Sequence, residues 1–313
     1  MSGYNENVEL GRCNMTTAAE YMDNAQGRTI KKSVEVDSVN TDYWFYPATT
    51  TDSRKAQNVV LVHGYRGDHH GLEAFAGGLT DYNVYAPDIP GFGTSSPLKA
   101  EHTLDNYVTW FEKFLKAVDL RNPIAIGHSF GTLIISAAEA KSTLLKALIC
   151  INPVAGGITK GMSRFLLNFV KGYYWFAHIL PQGLGLAMLK TPLLVDSMSS
   201  YTTKSDDKAL RKWIKNQHRL HFNSFANAQV VWESYIASID NTMAPYVPLI
   251  KKPILLVAAE LDEITPVSAV IKMSQQMHNA SVHEIKNCGH LVHYEAAEET
   301  IDAMNAFIAK QSN

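Results

Sequence analysis

Cysteine is scarce in this chain: Cys13, Cys150 and Cys288 are the only three in 313 residues. A small, odd and widely spaced set excludes a disulfide framework and fits a reducing compartment. A dominant charge is missing too. The formal net charge is −2 and no long basic run occurs, so neither nucleic acid nor an anionic surface is the expected main partner. No apolar run is long enough to span a bilayer. The most apolar stretch, Tyr173 to Val195, is interrupted by His178, Pro181, Gln182, two glycines and Lys190, and stable membrane insertion is not expected. The segment from Met1 to Lys32 lacks the basic-then-apolar order of a secretory signal. Residues 1–28 are therefore expected to form an N-terminal arm, and the expected location is the cytoplasm. Internal repeats and low-complexity segments are absent as well.

What the chain does have is core material, with 46% hydrophobic residues. It is arranged as alternating strands and helices. Thr29–Val36 and Asp42–Tyr46 read as a hairpin. Asn58–Val62, Asn83–Ala86, Ile124–Gly127, Ala147–Ile151, Ile254–Ala259 and Ser281–Ile285 read as buried strands. Helical spacing follows most of them, clearest from Leu104 to Val118 behind the N-cap Thr103. This order predicts an α/β fold with a mostly parallel central sheet and helices on both faces. From Val154 to about Leu249 the strand rhythm stops. The expected division is an α/β core at 29–153 and 250–313, with a helical subdomain at 154–249.

The most informative stretch is Ile124-Ala-Ile-Gly-His-Ser-Phe-Gly131. A short apolar strand runs into G-x-S-x-G and then into a helix, the pattern of a nucleophile elbow. The turn from strand to helix is tight, so the positions two before and two after Ser129 have room only for hydrogen. The Phe130 N–H then sits at a helix N-terminus, where it can donate to an oxyanion. A serine hydroxyl needs a base, and the base needs an orienting acid. Acids follow the strand ending at Ala259, in Glu260-Leu-Asp262-Glu263, and histidines follow the next strand, in His290-Leu-Val-His293. Glu260 and Glu263 compete with Asp262 for the acid, and His293 competes with His290 for the base. Asn152, at the end of an earlier strand, is an amide and cannot offset an imidazolium charge. Asp68-His69-His70 reads as a surface pair at a helix start with no metal, because adjacent helical histidines point apart.

Taken together, His63-Gly64, Asp88-x-x-Gly91-x-Gly93-x-Ser95, Gly127-x-Ser129-x-Gly131, Asp262 with Pro266, and Gly289-His290 resemble a lid-bearing serine hydrolase of the α/β-hydrolase fold, esterase- or lipase-like. The resemblance implies Ser129 as nucleophile, His290 as general base and acid, and Asp262 as its orienter. It implies an oxyanion hole made by the N–H groups of Tyr65 and Phe130, with no cofactor. His63, Gly64 and His128 would border the substrate. In the helical subdomain the dense aromatics point to an apolar pocket, with Phe165 and Trp175 expected against the substrate. The resemblance implies cleavage of a carboxylic ester bearing an apolar acyl or alkyl group, a small carboxylester or a monoacylglycerol-like substrate, through an acyl-enzyme. C–C bond hydrolysis or thioester hydrolysis on the same scaffold are alternatives, as is a ligand receptor with little turnover. Oligomeric state is left open.

Overall fold

The computed structural model describes residues 17–50, 55–156 and 164–311. Its centre is one eight-stranded sheet in the order β1-β2-β4-β3-β5-β6-β7-β8. β1 (Ile30–Val36) and β2 (Val39–Tyr46) form the expected hairpin, turning at Asp37 and Ser38, both with positive φ. β2 joins β4 (Asn83–Pro87) antiparallel. All further pairings are parallel, through β3 (Asn58–Val62), β5 (Ile124–His128), β6 (Ala147–Ile151), β7 (Ile254–Ala259) and β8 (Ala280–Ile285).

The inner strands are apolar on both sides because both sides are covered. Val60, Val62, Ala125, Leu148 and Cys150 face one core with α3 (Leu104–Ala117) and α4 (Phe130–Ser142). Val59, Leu61, Ile124, Ile126 and Ile149 face the other with α2 (Glu73–Gly78) and α12 (Ala297–Lys310). The doubly covered α/β architecture expected from the sequence is the one observed.

The N-terminal expectation needs correcting. Residues 17–28 form a helix, α1, rather than a loose arm. Its stripe of Ala18, Met22 and Ala25 is buried in the second core, at helical spacing. Arg28 Nη1 donates to the Pro47 carbonyl (2.7 Å), and Asn24 Nδ2 to that of Gly77 (3.0 Å). The stripe is small and brief, so it gave little periodic signal.

Between β6 and β7 the described chain is helical: α5 (Arg164–Ile179), α6 (Gln182–Leu189), α7 (Pro192–Thr202), α8 (Lys208–His221) and α9 (Ala228–Ile239). Pro181, met in the sequence as an interruption, is the N-cap of α6, and Pro192 is the first residue of α7. Proline fits there because a helix start leaves its own N–H groups unbonded. Two short helices, α10 (Val267–Ser274) and α11 (Val292–Glu295), complete the chain order. No helix among the described residues is long and apolar enough to cross a membrane.

Candidate active site

Loops at the carboxyl ends of β3, β5, β6, β7 and β8 converge, as ligand-binding loops do in open α/β sheets. Ser129 links β5 to α4 with φ 51° and ψ −116°, a conformation costly for any side chain. Its neighbours explain the two glycines. A Cβ on Gly131 would stand 2.1 Å from the Val62 carbonyl oxygen, and one on Gly127 would stand 2.7 Å from the Gly131 carbonyl. The Ser129 N–H is fixed on the Ile151 oxygen (2.9 Å), while its Oγ makes no hydrogen bond among the described residues. The loop after β3 lies directly alongside: a Cβ on Gly64 would meet Ser129 Cβ at 3.2 Å.

His290 Nδ1 donates to Asp262 Oδ2 at 2.7 Å. Asp262 is buried, and its oxygens also accept from the Ile264 and Thr265 N–H groups and from Thr265 Oγ1 (2.6 Å). Burial works to raise the Asp262 pKa. The His290 charge, its hydrogen bond and those of Thr265 outweigh burial and hold the carboxyl below its ordinary value. The rival acids are engaged elsewhere. Glu260 accepts from Lys286 and the Asn287 N–H, and Glu263 from Lys204.

The base loop is anchored by residues the sequence did not single out for this. The His290 carbonyl accepts from Asn152 Nδ2 (2.9 Å) and His128 Nε2 (3.1 Å), and its N–H donates to the Thr202 carbonyl at the end of α7. Asn152, set aside as a failed acid, is thus a clamp on the base. His63 Nδ1 donates to the Gly64 carbonyl and its Nε2 accepts from the Ile89 N–H, so the ring braces the β3 loop. His293 is buried and edge-on to His128 at 4.9 Å; it packs rather than pairing with an acid. His69 and His70 are not a surface pair. His69 is buried, stacked on Trp44 and bonded to Asp88, and His70 stacks on His221 at 3.9 Å. Asp68, His69 and His70 place ligand-type atoms within 4.8 Å of one another, but each histidine Nδ1 is already engaged, on Asp88 and on Asp68.

Ser129, Phe130, Gly64, Tyr65, His63, His128 and His290 all border one cavity of about 630 Å³, roofed by α5, α7, α8 and α9. Its wall is overwhelmingly apolar, and among the described residues no lysine or arginine lines it; Asp68 is the one carboxylate. The two aromatic expectations change here. Trp175 stands outside the wall and is 50% exposed, because α5 turns Leu167, Val170 and Tyr174 to the cavity and Trp175 away from it. The Phe165 side chain lies outside the described residues. Phe169, Tyr173 and Tyr174 supply the aromatic contribution of α5 instead.

Arg66 follows Tyr65 with φ 60° and is fully buried. Its guanidinium donates to Tyr174 Oη (3.1 Å), the Leu189 carbonyl (3.0 Å) and Asn223 Oδ1 (3.0 Å), and lies over the Phe222 and Phe225 rings. No carboxylate pairs with it among the described residues. It joins the β3 loop to the helical insert.

Three histidines of this region, His128, His218 and His293, are buried, and a fourth, His221, is partly buried. Burial, then a neighbouring histidine, pushes His128 down to about 3 and His218 and His221 down to about 4; His293 is also well below its usual value. The unfolded chain, with histidine near its ordinary ~6.5, takes up protons that the native state refuses. This stability is level above that value and is lost as pH falls toward 4. Glu73, Glu139 and Glu295, raised chiefly by burial, oppose the loss as pH falls through their raised values. Histidine in the unfolded chain takes up its proton at ~6.5 while these folded rings stay neutral, so Tm by calorimetry should fall between pH 7 and pH 5. A Tm level or higher at pH 5 contradicts their being held neutral in the fold.

Comparison with known proteins agrees with this fold. A family model described as alpha/beta hydrolase fold matches residues 57–297. A protein of Mycoplasma genitalium named putative esterase/lipase 3 is 34% identical over 104 residues, which is 33% of this chain and 37% of that relative. The (E)-2-((N-methylformamido)methylene)succinate hydrolase of Acinetobacter baylyi is 22% identical over 89% of this chain and 98% of its own. Among solved structures, an esterase from Exiguobacterium antarcticum superposes with a TM-score of 0.74 at 15% identity, covering 90% of this chain and all of that one (100%).

Proposed function

The chain belongs to the α/β-hydrolase family, and from that premise we propose that it is a serine hydrolase cleaving a carboxylic ester with an apolar acyl or alkyl group. Ser129 is the nucleophile. His290, oriented by ionised Asp262, takes the hydroxyl proton and later delivers it to the leaving alcohol. The N–H groups of Tyr65 and Phe130 receive the oxyanion of the tetrahedral intermediate. Water then releases the acid by the same steps. Residues 154–249 act as the lid subdomain over a core of 29–153 and 250–313.

The observation that carries this reading is the cavity itself. A serine in a strained elbow and a histidine bonded to a buried carboxylate open on an apolar chamber without a cation in its described wall. Esterase and lipase names recur among the relatives, as does a hydrolase named for a succinate. A substrate carboxylate would be desolvated in this chamber with no positive partner, a costly arrangement. An uncharged ester fits it.

The test is a series of p-nitrophenyl esters from acetate to palmitate, with a succinate half-ester alongside. Each buried methylene contributes about 0.8 kcal/mol, so kcat/KM should rise at least ~10-fold from acetate to octanoate. The chain length at which it stops rising measures the chamber. Preference for acetate, or for the charged half-ester, would defeat the apolar-ester reading.

A further inference from the structure

The chamber wall has two chemically different parts. Tyr65, Tyr174 and Tyr235 touch one another, with ring centroids 4.6 to 6.0 Å apart, beside Leu167, Val170 and Ile239. The second part is a chain of histidines. From His290 it runs to His128 (5.0 Å), His293 (4.9 Å), Tyr294 (4.2 Å) and His218 (6.2 Å). Asp68 and Gln217 line the cavity as well.

Two members of this chain are unused by the chemistry above. His218 comes from α8 of the insert and His293 from α11 of the core. Both residues are only 8% and 5% exposed and line the cavity, yet neither ring makes a hydrogen bond among the described residues. The Nδ1 of each is buried without a partner. Unpaired buried polar groups are uncommon and call for a cause. With Nδ1 enclosed, each ring presents only Nε2 to the cavity, a donor or an acceptor by tautomer, and a hydroxyl group can meet either. Neutral rings hold an anion poorly, and Asp68 would repel one.

We propose that His218 and His293 form a subsite for the hydroxyl groups of the alcohol part of the substrate, which is therefore a partial ester of a small polyol, such as a monoacylglycerol, rather than an ester of a plain alkanol. The proposal rests on the ester-hydrolase reading. In this arrangement the acyl chain lies along the tyrosine and aliphatic part of the wall. The leaving polyol lies along the histidines, next to the base that protonates it.

The experiment compares glyceryl monolaurate with propyl laurate, which share the acyl chain, in one detergent. An orphaned hydrogen-bonding group costs about 1–3 kcal/mol, so wild type should favour the glyceryl ester in kcat/KM by at least ~10-fold. His218→Leu and His293→Leu should each lower that ratio at least about fivefold, and the corresponding Gln variants, which keep a donor and an acceptor, should lower it less. Glyceryl dodecyl ether should inhibit wild type at least ~10-fold more tightly than dodecyl propyl ether, a comparison that needs no variant. Equal rates on the two esters, or a ratio that survives both Leu substitutions, overturns the subsite alone. Failure to hydrolyse either ester, with Ser129 intact, overturns the ester reading and the subsite with it.

Discussion

Ser129→Ala should reduce ester turnover by about 10⁴-fold or more, the scale seen when a triad nucleophile is removed. The geometry makes this variant unusually clean. The Ser129 backbone supplies the local structure, through its N–H on Ile151 and its carbonyl on the Thr132 N–H and Oγ1. Alanine keeps both. The hydroxyl being removed makes no hydrogen bond among the described residues, so stability has little reason to change. Turnover on p-nitrophenyl octanoate and a thermal melt, run side by side, decide the matter. Lost turnover with an unchanged Tm assigns the chemistry to the hydroxyl. Turnover within about tenfold of wild type would remove Ser129 as nucleophile, and with it the acyl-enzyme route.

Asp262→Asn should cost about 10³–10⁴-fold in kcat. The carboxylate does two things an amide cannot. It accepts from His290 Nδ1, leaving Nε2 free to act as base, and it offsets the imidazolium charge formed on attack. An Asn side chain can turn its NH₂ to His290 and reverse the tautomer. It would also meet the Thr265 hydroxyl and the Ile264 and Thr265 N–H groups with half the acceptor capacity, so some loss of Tm should accompany the loss of rate. Glu260→Gln and Glu263→Gln serve as contrasts. Both acids are exposed or partly exposed and bonded to lysines, and each substitution should leave kcat within about twofold. If either Gln variant lost more rate than Asp262→Asn, the acid would have to be moved to that position.

What the sequence revealed depended on how local the constraint was. The elbow was legible because strand, two glycines and helix lie within a few residues, and each glycine answers to a contact a Cβ would violate. The sheet was legible because strands covered on both faces need unbroken apolar runs. Side-chain direction across elements was not legible. Trp175 belongs to a stretch dense in aromatics, and composition does not say which of them α5 turns outward. His69 and His70 looked solvated because the ring that covers His69, Trp44, comes from a strand 25 positions earlier in the numbering. Asn152 was judged by the charge it lacks, while its use lies in a carbonyl 138 residues away. The helix at 17–28 failed to register because alanines carry a stripe without announcing it.

The buried guanidinium of Arg66 bears on how molecules come and go. Raising the insert as a body would break its bonds to Tyr174, Leu189 and Asn223, each charge-assisted contact worth about 1.5–3 kcal/mol. It would also break the tie between the His290 N–H and Thr202. A roof fixed in this way is rarely lifted. The traffic falls to the doorway, where Phe169 and Leu193 border the chamber and yet are 63% and 78% exposed. Exposed side chains of this kind change rotamer in picoseconds to nanoseconds. On the proposed mechanism, admission by such side-chain rotation would be quick and sieved by shape, and bond making at Ser129, rather than displacement of the insert, would set the pace of the cycle.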